Sequence, residues 1–263
     1  MVHHASASPT LPTVSEIVDT TTATSLMKAK DSHFKYLYFD IWARGELPRT
    51  ILAYVGASWE EIKFDWPNQK PLLAPFHQVP ILYEENASLR TTIRLNETKA
   101  IERYLAEKYG LLDGGSDDPL ERQRLDEIYN NTDGISIIFD YTVLSMQGDA
   151  RVEGARQFYA GAFKQWAEHH EALLLKAGGG NHHYARSGKT TLADLKTALM
   201  VRRVLFLVPK GIDVKADIPV SKEKTPALWR LVEAIEQHPP MAQWMATERF
   251  QQLDKNSKAM MGF

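Results

Sequence analysis

Gln-Val-Pro-Ile-Leu-Tyr at positions 78–83 is followed, after a polar turn, by Leu-Asn-Glu-Thr-Lys-Ala-Ile-Glu-Arg-Tyr-Leu at positions 95–105. Pro80 has no N–H to donate to a sheet, so it marks the entry of a strand over the apolar run behind it. A cis bond before Pro80 would turn the backbone of Val79 outward. The N–H and C=O of Val79 would then pair with an extended, peptide-like ligand as one further strand.

Glu97 and Thr98 begin a segment with helical periodicity and one apolar face. A hydroxyl beside the unpaired N–H groups of a helix start forms an anion site. An extended ligand that carries a carboxylate would therefore contact Val79 with its middle and Thr98 with its end.

In these two motifs the sequence resembles the glutathione-binding half of the cytosolic glutathione transferases. The resemblance implies that the loop before Pro80 pairs with the cysteinyl backbone of glutathione. It also implies that Glu97 and Thr98 hold the γ-glutamyl end. An ordinary strand, turn and helix with a proline at the edge is the alternative, and the second motif at this spacing argues against it.

Composition limits the class of protein. The chain has 263 residues, 44% of them hydrophobic, a net charge of −2 and no cysteine. This length supports two modest domains, and this charge provides no electrostatic footprint for nucleic acid or membrane. Without cysteine, any sulfur chemistry must come from a bound ligand. We expect a cytoplasmic protein with no metal, no nucleic-acid partner and no membrane partner, whose adjacent histidine pairs at 169–170 and 182–183 are exposed.

The order of patterns predicts an α/β domain followed by an all-α domain. Residues 1–33 are rich in Ser, Thr and Ala and are expected to form a flexible N-terminal arm. Residues 34–112 have the order β-α-β-β-β-α of a thioredoxin-like, glutathione-binding domain. A Gly- and Asp-rich linker precedes residues 119–263, where helical patterns predict a C-terminal helical bundle. Together these are the fold that the resemblance implies.

Five helices are expected in the second domain, and two of them have readable starts. The helices are expected at about 120–146, 151–176, 191–208, 225–237 and 240–250. Thr191 and Asp194 have the spacing of a capping box. Thr225 is an expected N-cap that precedes Pro226 at the first helical position.

The first strand, at about 34–39, places a tyrosine near the expected site. Ligands gather at the carboxyl ends of strands in open α/β sheets, which favours Tyr38 over Tyr36. Tyr-Phe-Asp-x-x-Ala-Arg-Gly-Glu at 38–46 is closest to the sigma-like class of tyrosine-type transferases. The resemblance implies that the Tyr38 hydroxyl stabilises the glutathione thiolate and that the Arg44 guanidinium favours it. Such help is needed because a free thiol has a pKa of about 8.5.

The resemblance implies further contacts with glutathione, the expected co-substrate. Trp66, Lys70 and Gln78 would bind the glycyl end of glutathione. Asp133 corresponds approximately to an acid that reaches the γ-glutamyl amine of the neighbouring subunit's ligand, so the expected active unit is a homodimer.

An apolar wall is expected beside the sulfur, where a small hydrophobic electrophile would bind. Its residues would be Ile41, Trp42, Ile137, Ile138 and Tyr141. The sequence therefore predicts a glutathione transferase with a role in detoxification. A glutathione-dependent isomerase or peroxidase, and a non-catalytic glutathione-binding or structural relative, stay open as alternatives.

Overall fold

The computed structural model describes residues 11–15, 18–66, 68–73, 75–177 and 182–263. The chain divides into two compact units, Met1–Lys108 and Tyr109–Phe263. Each unit is described by itself below.

The first unit is built on a four-stranded sheet with the order β2-β1-β3-β4. Strands β1 and β2 are parallel, and β3 is antiparallel to both β1 and β4. The elements of this unit are α1 (Thr20–Lys28), β1 (His33–Leu37), α2 (Glu46–Tyr54), β2 (Ser58–Glu61), β3 (Ile81–Asn86), β4 (Thr91–Asn96) and α3 (Thr98–Lys108), with 3₁₀ turns at Ala43–Gly45 and Lys70–Leu72. The predicted thioredoxin-like order is thus observed.

One face of the sheet carries a small apolar core next to the loop before Pro80. Its fully buried members are Leu37, Leu73, Ile81 and Tyr83. The side chain of Val79 packs against this cluster. Burying the valine side chain holds the Val79–Pro80 loop against the sheet by the hydrophobic effect.

Part of the expected flexible arm is an ordered helix, α1. The side chain of Asp19 caps this helix through the N–H of Thr22 at 2.9 Å, and Leu26 is 2% exposed. The buried ammonium of Lys108 donates to the C=O of Leu26 and pairs with the buried Glu84 at 2.9 Å. A buried ion pair requires further hydrogen-bond partners, and α1 supplies one of them.

Residues 11–15 also contact the first unit. The N–H of Ser15 donates to the C=O of Thr92 at 2.9 Å, and Leu11 and Val14 pack against the apolar core of the sheet. The expectation of a flexible arm was therefore wrong for 11–15 and 20–28, because few apolar side chains are enough to dock a short segment. Its residues 1–10 and 16–17 lie outside the described part of the chain.

The described residues of the second unit form helices joined by loops, with no strand among them. Its helices are α4 (Pro119–Phe139), α5 (Gly148–Ala160), α6 (Ala162–Lys176), α7 (Leu192–Phe206), α8 (Val214–Asp217), α9 (Pro226–Glu236), α10 (Pro239–Met245) and α11 (Glu248–Met261), with a π-helical turn at Asp140–Leu144. The helix expected over 151–176 is divided at Gly161, whose backbone angles are not helical. The helix expected over 240–250 is observed as two helices, α10 and α11, and α11 continues to Met261.

The predicted capping box is present at the start of α7. The carboxylate of Asp194 accepts the N–H of Thr191 at 2.7 Å and its hydroxyl at 2.5 Å. The same carboxylate accepts the N–H of Tyr184 at 2.9 Å, so it also binds the segment before the helix to the start of α7.

We expect Thr191→Ala to lower the free energy of unfolding by about 1 kcal/mol, because it removes one side of the capping box. The measurement is urea unfolding followed by far-ultraviolet circular dichroism. Thr225→Ala is the matched control: Thr225 also precedes a helix, but the carboxylate of Glu171 accepts the N–H groups of Ala227 and Leu228 instead. An equal loss in both variants would contradict the assigned role of Thr191.

One of the histidines that were expected to be exposed, His170, is buried. His170 is 1% exposed, with Nδ1 at 2.6 Å from the hydroxyl of Tyr184 and Nε2 at 3.0 Å from the side-chain oxygen of Asn131. Burial lowers the pKa of His170 to about 3, with a smaller contribution from the neighbouring His169. His170 lies on the face of α6 that also buries Phe163 and Trp166, a helical spacing that is visible in the sequence but was not used to choose between the two histidines.

The buried His170 predicts acid sensitivity. The unfolded chain binds a proton near pH 6.5 that the folded chain takes up only near pH 3, so stability falls as the pH decreases between these values. The expected slope from this group is about 1.4 kcal/mol per pH unit. Urea unfolding at pH 7.5, 6 and 5 measures it. His170→Gln should remove this slope and the exposed-site control His169→Gln should keep it; a wild-type slope in His170→Gln refutes the prediction.

Candidate functional site

The register of the sheet brings three predicted site segments together within the first unit. Leu37 pairs with Ile81, and Ile81 pairs with Asn96, so these three residues form one row across β1, β3 and β4. Neighbouring strands lie about 4.8 Å apart. Tyr38 follows this row on β1, Pro80 precedes it on β3 and Glu97 follows it on β4. The three motifs therefore meet at one end of the sheet.

Tyr38 is half-buried directly after β1. Its ring lies against Gly45: a Cβ built on this glycine would lie 2.3 Å from Cδ1 of Tyr38. Since carbon atoms in contact are normally about 3.5–4.0 Å apart, only a glycine permits this position of the ring. The ring centroid of Tyr38 also lies 5.5 Å from that of Phe39.

Tyr36, the alternative tyrosine, is fully buried, and burial raises its pKa well above the ordinary value. Its hydroxyl has no hydrogen-bond partner among the described residues. A ligand at the end of the sheet has no access to a fully buried ring. Of the two tyrosines, Tyr38 is the one with an exposed portion, in agreement with the position inferred for it from the strand end.

An aromatic cluster connects Tyr38 with the residues predicted to bind the glycyl end. Phe39 lies 5.5 Å from Trp66 between ring centroids, and Phe64 lies 5.4 Å from Phe39. Trp66 is 36% exposed, and the ammonium of Lys70 lies 5.0 Å from its ring centroid. This arrangement presents an indole N–H and an exposed cation near the end of the sheet.

The loop before β3 presents backbone groups at the same end. The Val79–Pro80 peptide bond is cis, Pro80 is buried and Gln78 is exposed. No hydrogen bond joins the backbone of Val79 to another residue within the described part of the chain. Recognition by strand addition requires such unpaired backbone groups.

The start of α3 provides the third part of the site. Thr98 is the first residue of the helix and is half-buried, and the C=O of Glu97 accepts the N–H of Ile101 at 3.0 Å. The N–H groups in the first turn of a helix have no partner within the helix, so they favour an anion.

Unusual backbone angles cluster in these loops. Ala43, His77, Glu97 and Arg90 are the non-glycine residues with positive φ in the described ranges, with φ of 40°, 52°, 73° and 51°. Glu97 is itself a predicted site residue, and Ala43 and His77 directly precede the predicted site residues Arg44 and Gln78. Such angles are costly for non-glycine residues and concentrate at ligand sites. Only Arg90 lies elsewhere, in the turn between β3 and β4.

Three residues near the site were not selected from the sequence. Gly45 makes room for the ring of Tyr38, Arg49 is fully buried beside it, and Asn96 buries an amide nitrogen that has no partner in the described segments. A glycine after Arg44 and an arginine in a helix are common patterns. Their importance depends on contacts that the sequence does not reveal.

Arg44 is exposed in the 3₁₀ turn before α2. In the second unit, Asp133 pairs with Lys196 at 3.0 Å, so its carboxylate already has a cationic partner. The role predicted for each residue stays a prediction.

The residues predicted to bind the electrophile differ in exposure. In the first unit, Ile41 is half-buried and Trp42 is 4% exposed, so the Trp42 ring offers little surface to a ligand. In the second unit, Ile137, Ile138 and Tyr141 are exposed. Tyr141 lies in the π-helical turn rather than in α4, which changes its expected helical spacing.

Two other kinds of feature are absent from the described residues, a metal-binding cluster and a membrane-spanning helix. No cluster of three or more His, Cys, Asp or Glu side chains that could hold a metal ion occurs among them. None of the helices in the described ranges has both the length and the apolar character needed to cross a membrane.

These observations define the fold class of the protein: a thioredoxin-like domain with a candidate ligand site at one end of its sheet, followed by a helical domain. Solved structures share this fold. The sigma-class glutathione transferase of Fasciola hepatica matches with a TM-score of 0.67 and 22% identity over 83% of this chain and 99% of that one. The glutathione S-transferase of Ascaris lumbricoides matches with a TM-score of 0.62 and 24% identity over 81% of this chain and 96% of that one.

Curated sequences are also similar. Hematopoietic prostaglandin D synthase of Gallus gallus is 31% identical over 112 residues, which are 41% of this chain and 51% of that protein. Probable glutathione S-transferase 7 of Caenorhabditis elegans is 38% identical over 82 residues, which are 30% and 36% of the two chains. The chain thus spans about half or less of the length of these relatives. No protein-family model matches it.

The chain is thus similar over part of its length to a hematopoietic prostaglandin D synthase and a probable glutathione S-transferase, and it shares the fold of the solved glutathione transferases.

Proposed function

We propose that the protein is a glutathione transferase that joins the glutathione thiolate to small hydrophobic electrophiles. The observation that carries this proposal is the row Leu37–Ile81–Asn96, which gathers Tyr38, the Val79–Pro80 loop and the start of α3 at one end of the sheet. The relatives named glutathione S-transferase support the same assignment.

Each part of the site has chemistry that suits one part of glutathione. Val79 offers backbone groups to the cysteinyl unit, while Glu97 and Thr98 offer a carboxylate, a hydroxyl and helix N–H groups to the γ-glutamyl ammonium and carboxylate. Lys70, Trp66 and Gln78 provide a cation and N–H donors for the glycyl carboxylate. This assignment places the thiol, in the middle of the tripeptide, near Tyr38.

In the proposed mechanism the Tyr38 hydroxyl donates a hydrogen bond to the sulfur. The charged thiolate accepts this bond more strongly than the thiol does, so the bond lowers the thiol pKa. The cationic Arg44 would favour the thiolate in the same way. The thiolate then attacks the electrophile, forming a carbon–sulfur bond, with loss of a leaving group in a substitution or protonation of the product in an addition.

The test is a titration of glutathione bound to the wild-type protein, followed by the ultraviolet absorbance of the thiolate. The proposal expects a bound thiol pKa clearly below the free value of about 8.5. Binding without a shift would indicate a non-catalytic carrier, and no binding would leave only the fold. Turnover of an aromatic halide by glutathione then tests conjugation directly.

A glutathione-dependent isomerase is a second candidate, and a peroxidase a third. The isomerase is favoured by one observation, the similarity to the avian protein named hematopoietic prostaglandin D synthase. Assaying prostaglandin D formation and peroxide reduction beside conjugation separates the three activities. All three share the thiolate site, so the relative rates decide among them.

The proposed assembly is a homodimer in the cytoplasm, as the superfamily resemblance implies. Asp133 would then serve the neighbouring subunit's glutathione. Analytical ultracentrifugation measures the assembly, and Asp133→Asn is expected to weaken glutathione binding. Because Asp133 also pairs with Lys196, Lys196→Met is the control for loss of the ion pair alone.

A further inference from the structure

Arg49 of α2 is a fully buried cation, with 0% of its side chain exposed. Moving a charge out of water is costly unless it is paired and all its donors are used. Nε of Arg49 donates to a carboxylate oxygen of Glu61 at 2.6 Å. This pair connects α2 with the end of β2.

The other guanidinium nitrogens hold the segment directly behind Tyr38. Nη2 donates to the C=O of Phe39 at 2.9 Å, and Nη1 donates to the C=O of Ile41 at 2.7 Å. A planar guanidinium presents its donors in a rigid geometry, so two such bonds fix the course of this segment more firmly than a lysine would.

Arg49 also contacts the tyrosine rings. Its Cζ lies 5.6 Å from the ring centroid of Tyr38 and 5.4 Å from that of Tyr36, within the range of cation–π interactions. Gly45 shows how close the groups are: a Cβ there would lie 2.6 Å from Nη1 of Arg49 and 2.3 Å from Cδ1 of Tyr38. The guanidinium and the Gly45 backbone therefore support one side of the Tyr38 ring.

We propose that Arg49 is a positioning residue that sets the orientation of the Tyr38 ring toward the thiol of glutathione. Arg49 is buried, so it acts through Tyr38 and the segment behind it rather than by contact with the substrate. This inference rests on the proposed function, and it adds a residue whose sequence pattern carries no signal of such a role.

The first test compares crystal structures and kinetics of the full-length wild type and Arg49→Lys. Arg49→Lys keeps the charge but loses the fork of donors, so we expect the Tyr38 ring to leave its position on Gly45. We expect kcat to fall at least about tenfold, since small misplacements of a reacting group are costly. KM for glutathione should change by less than about threefold, because no ligand contact is lost. The bound thiol pKa should move toward the free value.

Arg90→Lys is the matched control, because Arg90 is an exposed arginine of the same unit. It should leave the ring position, kcat and thiol pKa unchanged. A folded Arg49→Lys variant with the wild-type ring position and kcat would overturn the proposal. A rise in KM alone would also overturn it, since that result would indicate ligand contact.

Glu61→Gln decides the question if Arg49→Lys does not fold. It retains Arg49 and both carbonyl contacts but removes the charged partner, so a smaller loss of kcat in the same direction is expected, and no loss refutes the proposal. The proposed function and the positioning role of Arg49 are tested separately. A wild type that binds glutathione without a shift of the thiol pKa refutes the proposed function, whereas the position of the Tyr38 ring in the variant structure tests the role of Arg49.

Discussion

Tyr38→Phe is expected to lower kcat/KM for conjugation by about 10²-fold, the usual effect of removing one hydrogen-bond donor from developing negative charge. The thiol pKa of bound glutathione should move toward the free value of about 8.5 in this variant, because the thiolate loses its hydroxyl donor while Arg44 is retained. Glutathione should still bind, since Val79, Thr98 and the residues around Trp66 stay in place. Thiolate absorbance and steady-state kinetics measure these effects.

Tyr36→Phe is the matched control for Tyr38→Phe. Tyr36 lies in β1, two residues before Tyr38, and the two ring centroids are 6.5 Å apart, but the hydroxyl of Tyr36 is buried without a partner among the described residues. Removing an unpaired buried hydroxyl costs little stability or increases it. Activity should be retained. Unchanged turnover in Tyr38→Phe would reject the tyrosine mechanism, and equal losses in both variants would indicate a general disturbance of the strand.

Gly45→Ala is expected to lower kcat by about tenfold to a hundredfold, because the added Cβ would displace the Tyr38 ring. The backbone of Gly45 has φ of −83°, which alanine adopts readily, so the effect comes from the collision at 2.3 Å. Overpacking of this kind also costs about 1–3 kcal/mol of stability. Kinetics, the bound thiol pKa and urea unfolding measure these effects.

Gly134→Ala provides the control with the opposite sign. Gly134 lies inside α4, and a Cβ there would meet no atom within 4 Å. Replacing a helical glycine by alanine stabilises by about 0.5–1 kcal/mol. Activity should not change. If Gly45→Ala were as active as Gly134→Ala, the ring of Tyr38 would have to move freely, and the proposed close packing on Gly45 would be wrong.

Local sequence signals predicted much of the first unit. Pro80 marked the start of β3 because proline cannot donate within a sheet, and the pattern from Thr98 identified α3 because helical periodicity is a property of neighbouring residues. The capping box at Thr191 was readable for the same reason. Element ends shifted by one or two residues, as β1 shows: this strand was expected at about 34–39 and spans His33–Leu37.

Signals that depend on distant partners were not readable. The docking of α1 requires Lys108 to reach Leu26, which lies 82 positions earlier in the chain. Whether His169 or His170 is buried depends on which side of α6 faces the interior. The helical spacing of Phe163, Trp166 and Ala167 places His170 on their side of α6, so this signal was present in the sequence and was missed. The partners of His170, Tyr184 and Asn131, were not readable.

The sequence alone determined the order of the elements, the family resemblance and the residues at the strand end, because short-range periodicity, proline positions and short motifs are properties of adjacent residues. Only the tertiary structure decided that Leu37, Ile81 and Asn96 form one row, that Gly45 makes room for Tyr38, and that Arg49 supports its ring. The physical reason is that close packing joins side chains from separate elements, and a contact between them has no counterpart in the neighbouring sequence.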